Sequence, residues 1–204
     1  MSGPEGARMT KGRLEAFSDG VLAIIITIMV LELKVPHGED LESLRPLAPV
    51  FLAYVLSFLY VGIYWNNHHH LLHAVRHVDG RILWTNLHLL FWLSLFPFAN
   101  HWIGETRFAP WPLVAYGFVL LMAGFAYSFL VRALVRRHGQ DSVIAHAIGS
   151  DLKGNLSLVT YVIGMAFAAL GFRWPSFLVY CAVALWWFIP DLRIVRALEE
   201  RQQP

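Results

Sequence analysis

Charge is scarce in this sequence. Asp, Glu, Lys and Arg make up 15% of the 204 residues, against about 25% in an ordinary water-soluble domain. The formal net charge is only +2, too small to point to a polyanion such as nucleic acid. Cysteine is nearly absent. Cys181 alone excludes an internal disulfide and a multi-cysteine zinc site. It lies in an apolar segment with no base beside it, so it does not read as a nucleophile. Hydrophobic residues, by contrast, reach 57%, and the mean hydropathy is +0.52. A single core of this size cannot hide that much apolar surface from water. The chain is therefore read as an integral membrane protein.

The gaps between charges count the spans. Thirty uncharged residues separate Arg45 from Arg76, 23 separate Arg81 from Glu105, and 24 separate Arg107 from Arg132. Lys153 to Arg173 encloses 19 and Arg173 to Asp191 encloses 17. A spanning helix needs about 20 apolar residues, so each gap holds one helix. A further segment, Ala16 to Leu33, makes six. The runs are continuously apolar, which excludes the alternating pattern of barrel strands. The expected helices cover about 12–33, 46–74, 81–103, 111–136, 154–172 and 175–196, and 1–204 forms one all-α domain. The first segment is not a signal peptide, because Leu31-Glu32-Leu33-Lys34-Val35-Pro36 follows it in place of a cleavage site. Pro36 ends that helix, and Trp111-Pro112 and Trp174-Pro175 read as helix starts, with Gly104 and Gly171 marking the turns before them.

Placing the N-terminus inside puts Arg8, Lys11, Arg13, Arg76, Arg81, Arg132, Arg136, Arg137, Lys153, Arg193, Arg196 and Arg201 on the inner side. Lys34, Arg45, Arg107 and Arg173 fall outside, a division of 12 to 4 that accounts for all 16. The positive-inside rule then sets both termini in the cytoplasm. Arg132, Arg136 and Arg137 read as anchors to anionic membrane lipid.

The first helix differs from the rest. Only 12 residues separate Asp19 from Glu32, and Arg13, Glu15 and Asp19 crowd its inner end. Charges at that depth must face protein or water. On a helical wheel with Ile24 at 0°, Phe17, Gly20, Thr27, Ile28 and Leu31 fall within about 60° of it, while Ser18 and Asp19 lie far off. The wheel alone leaves open whether this stripe meets lipid or something else.

Arg13-Leu14-Glu15-Ala16-Phe17-Ser18-Asp19 resembles the Arg-x-x-x-Phe-Ser-Asp signature of the transmembrane-protein-175 family of lysosomal and bacterial cation channels. The likeness continues through Gly20-Val21-Leu22-Ala23-Ile24, Thr27 and Leu31-Glu32-Leu33-Lys34-Val35-Pro36, and again at Tyr64-Trp65-Asn66-Asn67-His68-His69-His70. The resemblance implies a bacterial, single-repeat member: a homotetramer in the plasma membrane, permeable to potassium and other monovalent cations. Four first helices would line the pore, narrowed at Ile24, Ile28 and Leu31, with either Thr27 or Ile28 turned inward between the outer two. Arg13, Phe17, Ser18 and Asp19 would form the motif's structural network. The Thr-Val-Gly-Tyr-Gly filter of ordinary potassium channels is absent. An apolar constriction can gate by dewetting instead, and it should select less sharply than a carbonyl cage.

Ten histidines invite a metal hypothesis. His69 and His73 have the i, i+4 spacing of a zinc pair, but no His-Glu-x-x-His is present. The plainer reading is hydrogen bonding between helices by Asn66, His69, His70, His73 and His88, with His68 and Asn86 nearby. No enzyme chemistry and no cofactor are expected. Two other readings stand beside the channel: a metal-dependent membrane enzyme built on the second segment's histidines, and a small transporter with a dehydrated site near Ser18 and Asp19.

Overall fold

The computed structural model describes residues 10–75, 77–139 and 151–188, and helix is the only regular structure among them. The elements are α1 (Lys11–Leu31), a 3₁₀ turn (Leu41–Leu47) running into α2 (Ala48–His73), α3 (Gly80–Leu93), α4 (Phe96–Glu105), α5 (Pro110–His138), α6 (Leu152–Ala169) and α7 (Arg173–Phe188). With α3 and α4 taken as one span, there are six. Five are long and apolar enough to cross a membrane over the described residues. The expected end of the sixth helix at 196, and Arg8, Arg76, Arg193, Arg196 and Arg201, lie outside the described residues.

Local chemistry sets the helix ends. The carboxylates of Asp79 and Asp151 accept from the Ile82 and Gly154 backbone N–H groups at 3.0 Å each, capping α3 and α6. Asp40 caps the 3₁₀ turn in the same way, from Ser43 N–H at 3.0 Å. Gly171, at φ +87°, makes the turn between α6 and α7. Gly104 has a different role from the expected turn. It is helical and buried, and a Cβ there would stand 2.8 Å from Val50 Cα, so its lack of a side chain lets α4 close on α2. The turn itself falls at Arg107 and Phe108, both at positive φ.

The third span is broken where one continuous helix is expected. Pro97 has no N–H, and its ring would clash with the carbonyl four residues earlier, so the chain turns at Ser94–Leu95 and starts again. Ser94 Oγ donates to the Phe91 carbonyl at 2.7 Å, satisfying one group at the break.

α5 forms the spine, packing along α3 and α6, while α2 packs against α1, α4 and α7. The centre is aromatic. Tyr60, Phe96, Tyr116 and Tyr180 are fully buried, with successive ring centroids 6.2, 5.9 and 5.9 Å apart. Their hydroxyls are satisfied: Tyr60 donates to the Tyr180 carbonyl (2.7 Å), Tyr180 to the Leu113 carbonyl (3.1 Å), and Tyr116 pairs with Ser57 (3.0 Å). Gly117 and Gly164 make room for the Tyr180 ring.

Candidate functional site along the first helix

α1 has one narrow face turned into its own subunit. Leu14, Ser18, Leu22, Ile25 and Met29 are buried, and they follow the three- and four-residue spacing of a single helical stripe. The opposite side is bare. Phe17, Ile24, Ile28 and Leu31 are 52%, 58%, 42% and 79% exposed, and Gly20 and Thr27 are exposed beside them. The stripe of Ile24, Thr27, Ile28 and Leu31 is thus uncovered by the other described residues. Thr27 Oγ1 donates to the carbonyls of Ala23 and Ile24, both at 3.0 Å, so its proton is committed to its own helix.

Exposed apolar surface is ordinary in a membrane protein, since lipid does not penalise it. Composition sets this surface apart. α7 exposes chiefly large apolar groups such as Leu178, Leu185, Trp186 and Phe188. The bare side of α1 interleaves its isoleucines with Gly12, Arg13, Ala16, Gly20, Ala23 and Thr27. Small and polar residues on a spanning helix suit contact with protein or water rather than acyl chains.

The N-terminal half of α1 is fastened by side chains. Ser18 is fully buried; its Oγ donates to the Leu14 carbonyl (2.9 Å) and accepts from Asn86 Nδ2 (2.9 Å). Asn86 Oδ1 in turn lies 2.7 Å from His68 Nε2. This chain joins α1, α3 and α2 in the interior. Asp19 Oδ1 accepts from Trp65 Nε1 at 3.1 Å, and Glu15 Oε1 lies 3.5 Å from His69 Nδ1. Arg13 is exposed and makes no side-chain bond to another helix among the described residues, and Phe17 lies on the bare side.

The five residues expected to form a hydrogen-bond cluster do not converge on one point. His69 meets Glu15 and stacks between Trp65 and His73, while His70 touches His69 edge-on. His88 accepts from Trp92 Nε1 on its own span (2.9 Å) and stacks on Phe129 of α5. Asn66 makes no side-chain hydrogen bond among the described residues. The buried link runs through His68 and Asn86, as expected of helix-tying residues, and Trp65 holds the motif aspartate. Among the described residues, no three His, Cys, Asp or Glu side chains come together as a metal site would need.

The C-terminal end of α1 is held by a second set of polar contacts. Glu32 Oε2 lies 2.9 Å from His101 Nδ1, off the line of a ring N–H and so not a hydrogen bond. Lys34 Nζ pairs with Glu105 at 3.0 Å. Both partners lie on α4.

A bundle of apolar spanning helices, with one helix tied at both ends and bare along its small and polar side, defines a multi-pass membrane protein of the all-α channel class. The profile of the family described as endosomal/lysosomal potassium channel TMEM175 matches residues 13–97, which contain the first-helix motif and the second span. A potassium channel of a Chryseobacterium species is 55% identical over 198 residues, covering 94% of this chain and all of that protein. The human endosomal/lysosomal proton channel TMEM175 is 40% identical over 80 residues, 33% of this chain and 16% of that one. The crystal structure of a lysosomal potassium-selective channel TMEM175 homolog from Chamaesiphon minutus superposes with a TM-score of 0.76 at 29% identity, covering 89% of this chain and 97% of that one. The chain belongs to the TMEM175 family.

Proposed function

We propose that this chain is a potassium-permeable cation channel of the bacterial plasma membrane. Four copies assemble so that the bare side of each α1 faces a common axis. The bare, small-residue side of α1 carries this reading, because none of the described residues of the subunit covers it. A single helix cannot enclose a path, and cyclic closure of identical subunits supplies the other walls. Both termini face the cytoplasm by the balance of Lys and Arg. The names of the Chryseobacterium and Chamaesiphon relatives support potassium as the permeant ion.

In that arrangement Ile24 and Leu31 form two apolar rings about 10.5 Å apart along the axis, with Thr27 or Ile28 between them. An apolar wall offers no ligands in place of hydration water, so it excludes a fully hydrated ion and passes one that sheds water readily. Potassium gives up water more easily than sodium, which makes the preference modest. No catalytic step and no cofactor enter this mechanism.

Bi-ionic currents test it. Ile24→Asn and Leu31→Asn should wet the constriction, raise conductance and weaken discrimination between potassium and sodium. Ile25→Asn, on the buried face, should lower the yield of folded protein and leave the selectivity of what remains unchanged. If Ile25 controls permeation while Ile24 and Leu31 are silent, the axis lies on another side of α1 and the assignment fails.

A further inference from the structure

The C-terminal end of α1, the 3₁₀ turn and the start of α2 leave a groove between them. It encloses about 450 Å³, within the range of ligand pockets (about 300–1,000 Å³). The 3₁₀ turn supplies one edge, and its sequence makes that edge two-faced. With three residues per turn, side chains three apart stand in rows. Leu41, Leu44 and Leu47 form one row, and Glu42 and Arg45 form the next, paired at 2.8 Å. Leu44 and Leu47 line the groove together with Leu33, Val50 and Phe51. Leu44 and Phe51 are 49% and 53% exposed, so the described residues leave this apolar lining open. On the wheel of α1, Glu32 falls about 80° from Ile24. The groove therefore opens beside the bare stripe rather than along it.

Among the described residues, charge enters the lining at Glu32, Lys34 and Glu105 only. Lys34 commits one of its three donors to Glu105 at 3.0 Å and keeps two. Glu32 accepts no hydrogen bond among the described residues, since His101 stands off the line of a ring N–H. The rim thus holds a cation with donors to spare beside a carboxylate with no donor. α1 ends at Leu31 and the third span at Glu105, so these charges stand where two apolar spans end. At that level a bilayer changes from acyl chain to head group. An apolar groove with a charged rim there matches the two parts of a phospholipid. The rim also discriminates between head groups. A phosphodiester anion suits Lys34, and a primary ammonium brings Glu32 both positive charge and N–H donors. Choline has the charge without the donors, and glycerol has donors without the charge.

We propose that this groove binds a phospholipid whose head group carries a primary ammonium. One acyl chain lies along the leucine row of the 3₁₀ turn, the phosphate meets Lys34, and the ammonium donates to Glu32. The lipid thereby bridges the end of α1 and the start of α2.

Native mass spectrometry of the full chain, released from detergent, tests this by counting the lipids retained per subunit. Phosphatidylethanolamine, phosphatidylcholine and phosphatidylglycerol are supplied in turn with matched acyl chains. The wild-type protein should retain the ethanolamine lipid about five- to tenfold over either of the others, the size that two part-exposed charge contacts supply together. Glu32→Ala should erase the preference over the choline lipid, and Lys34→Ala should lower retention of all three. Glu42→Ala, in the pair outside the lining, should leave both unchanged. Leu44→Trp should fill the groove and lower retention of the ethanolamine lipid with the complex intact. Equal retention of the three lipids by the wild type overturns the proposal, as does an ethanolamine preference that survives in Glu32→Ala. Dissociation of the complex by Leu44→Trp with lipid retention unchanged also overturns it, because a second copy then occupies the groove.

Discussion

α1 and α5 have almost the same mean hydropathy, yet 28% of the most apolar 18-residue stretch of α1 is buried within the subunit against 44% for α5. Both helices are rich in small residues, and the difference lies in where those residues point. On α5, Gly117, Ala123, Ala126 and Ala133 face inward and admit neighbouring helices. On α1, Gly12, Ala16, Gly20 and Ala23 all face outward. Hydropathy says that a helix lives in the bilayer. The direction of its small residues says whether its own subunit covers it.

Substitutions can break this comparison, and the largest effect belongs to the spine. A Cβ at Gly117 would run into the Tyr180 hydroxyl and stand 2.6 Å from Met165 Cγ. Gly117→Leu should therefore cost about 3 kcal/mol or more through overpacking, read as loss of folded protein from detergent extracts. Recovery at wild-type level would show that α5 is not the rigid element. A middle-sized effect belongs to the junction of the two regions. Asn86→Leu removes the partner of Ser18 Oγ and of His68 Nε2, and His68 Nδ1 already has no partner among the described residues. The expected loss is about 1–3 kcal/mol, seen as a lower unfolding temperature with the helical content intact. The smallest effect belongs to the bare helix. Among the described residues nothing stands within 4 Å of a Cβ at Gly20. Gly20→Ala should leave the fold unchanged or firmer by up to about 1 kcal/mol of helix propensity, while altering potassium current. A large drop in unfolding temperature instead would mean that the outward side of α1 is closely covered in the assembly.

Charge spacing made the count of spans legible, because each uncharged gap fits one bilayer crossing. The break at Ser94–Leu95 was missed, because a count of uncharged residues takes no notice of Pro97 inside the run. At Gly104 sequence could not distinguish a turn from a close approach, since glycine serves both, and only the position of Val50 decides. Along α1 the stripe of Ile24, Ile28 and Leu31 could be drawn from helical period alone. Which side the subunit covers could not, because that depends on where α2 and α3 stand. The clearest example is Val30. It lies off the stripe, as Ile25 does, yet Ile25 is 4% exposed and Val30 43%. The histidine run shows the same limit. His68, His69 and His70 point in three directions from one helix, and the inward one is fixed by the rotation of α2 rather than by its composition.

The break in the third span has a mechanical consequence. α3 grips the N-terminal half of α1 through Asn86, and α4 grips its C-terminal end through His101 and Glu105. Were α3 and α4 one rod, a push on either grip would reach the other undiminished, and α1 could only translate as a unit. With two rods meeting at an elbow, each grip has its own fulcrum. The compliance of the span is concentrated at Ser94 and Leu95, so the two ends of α1 can be loaded separately.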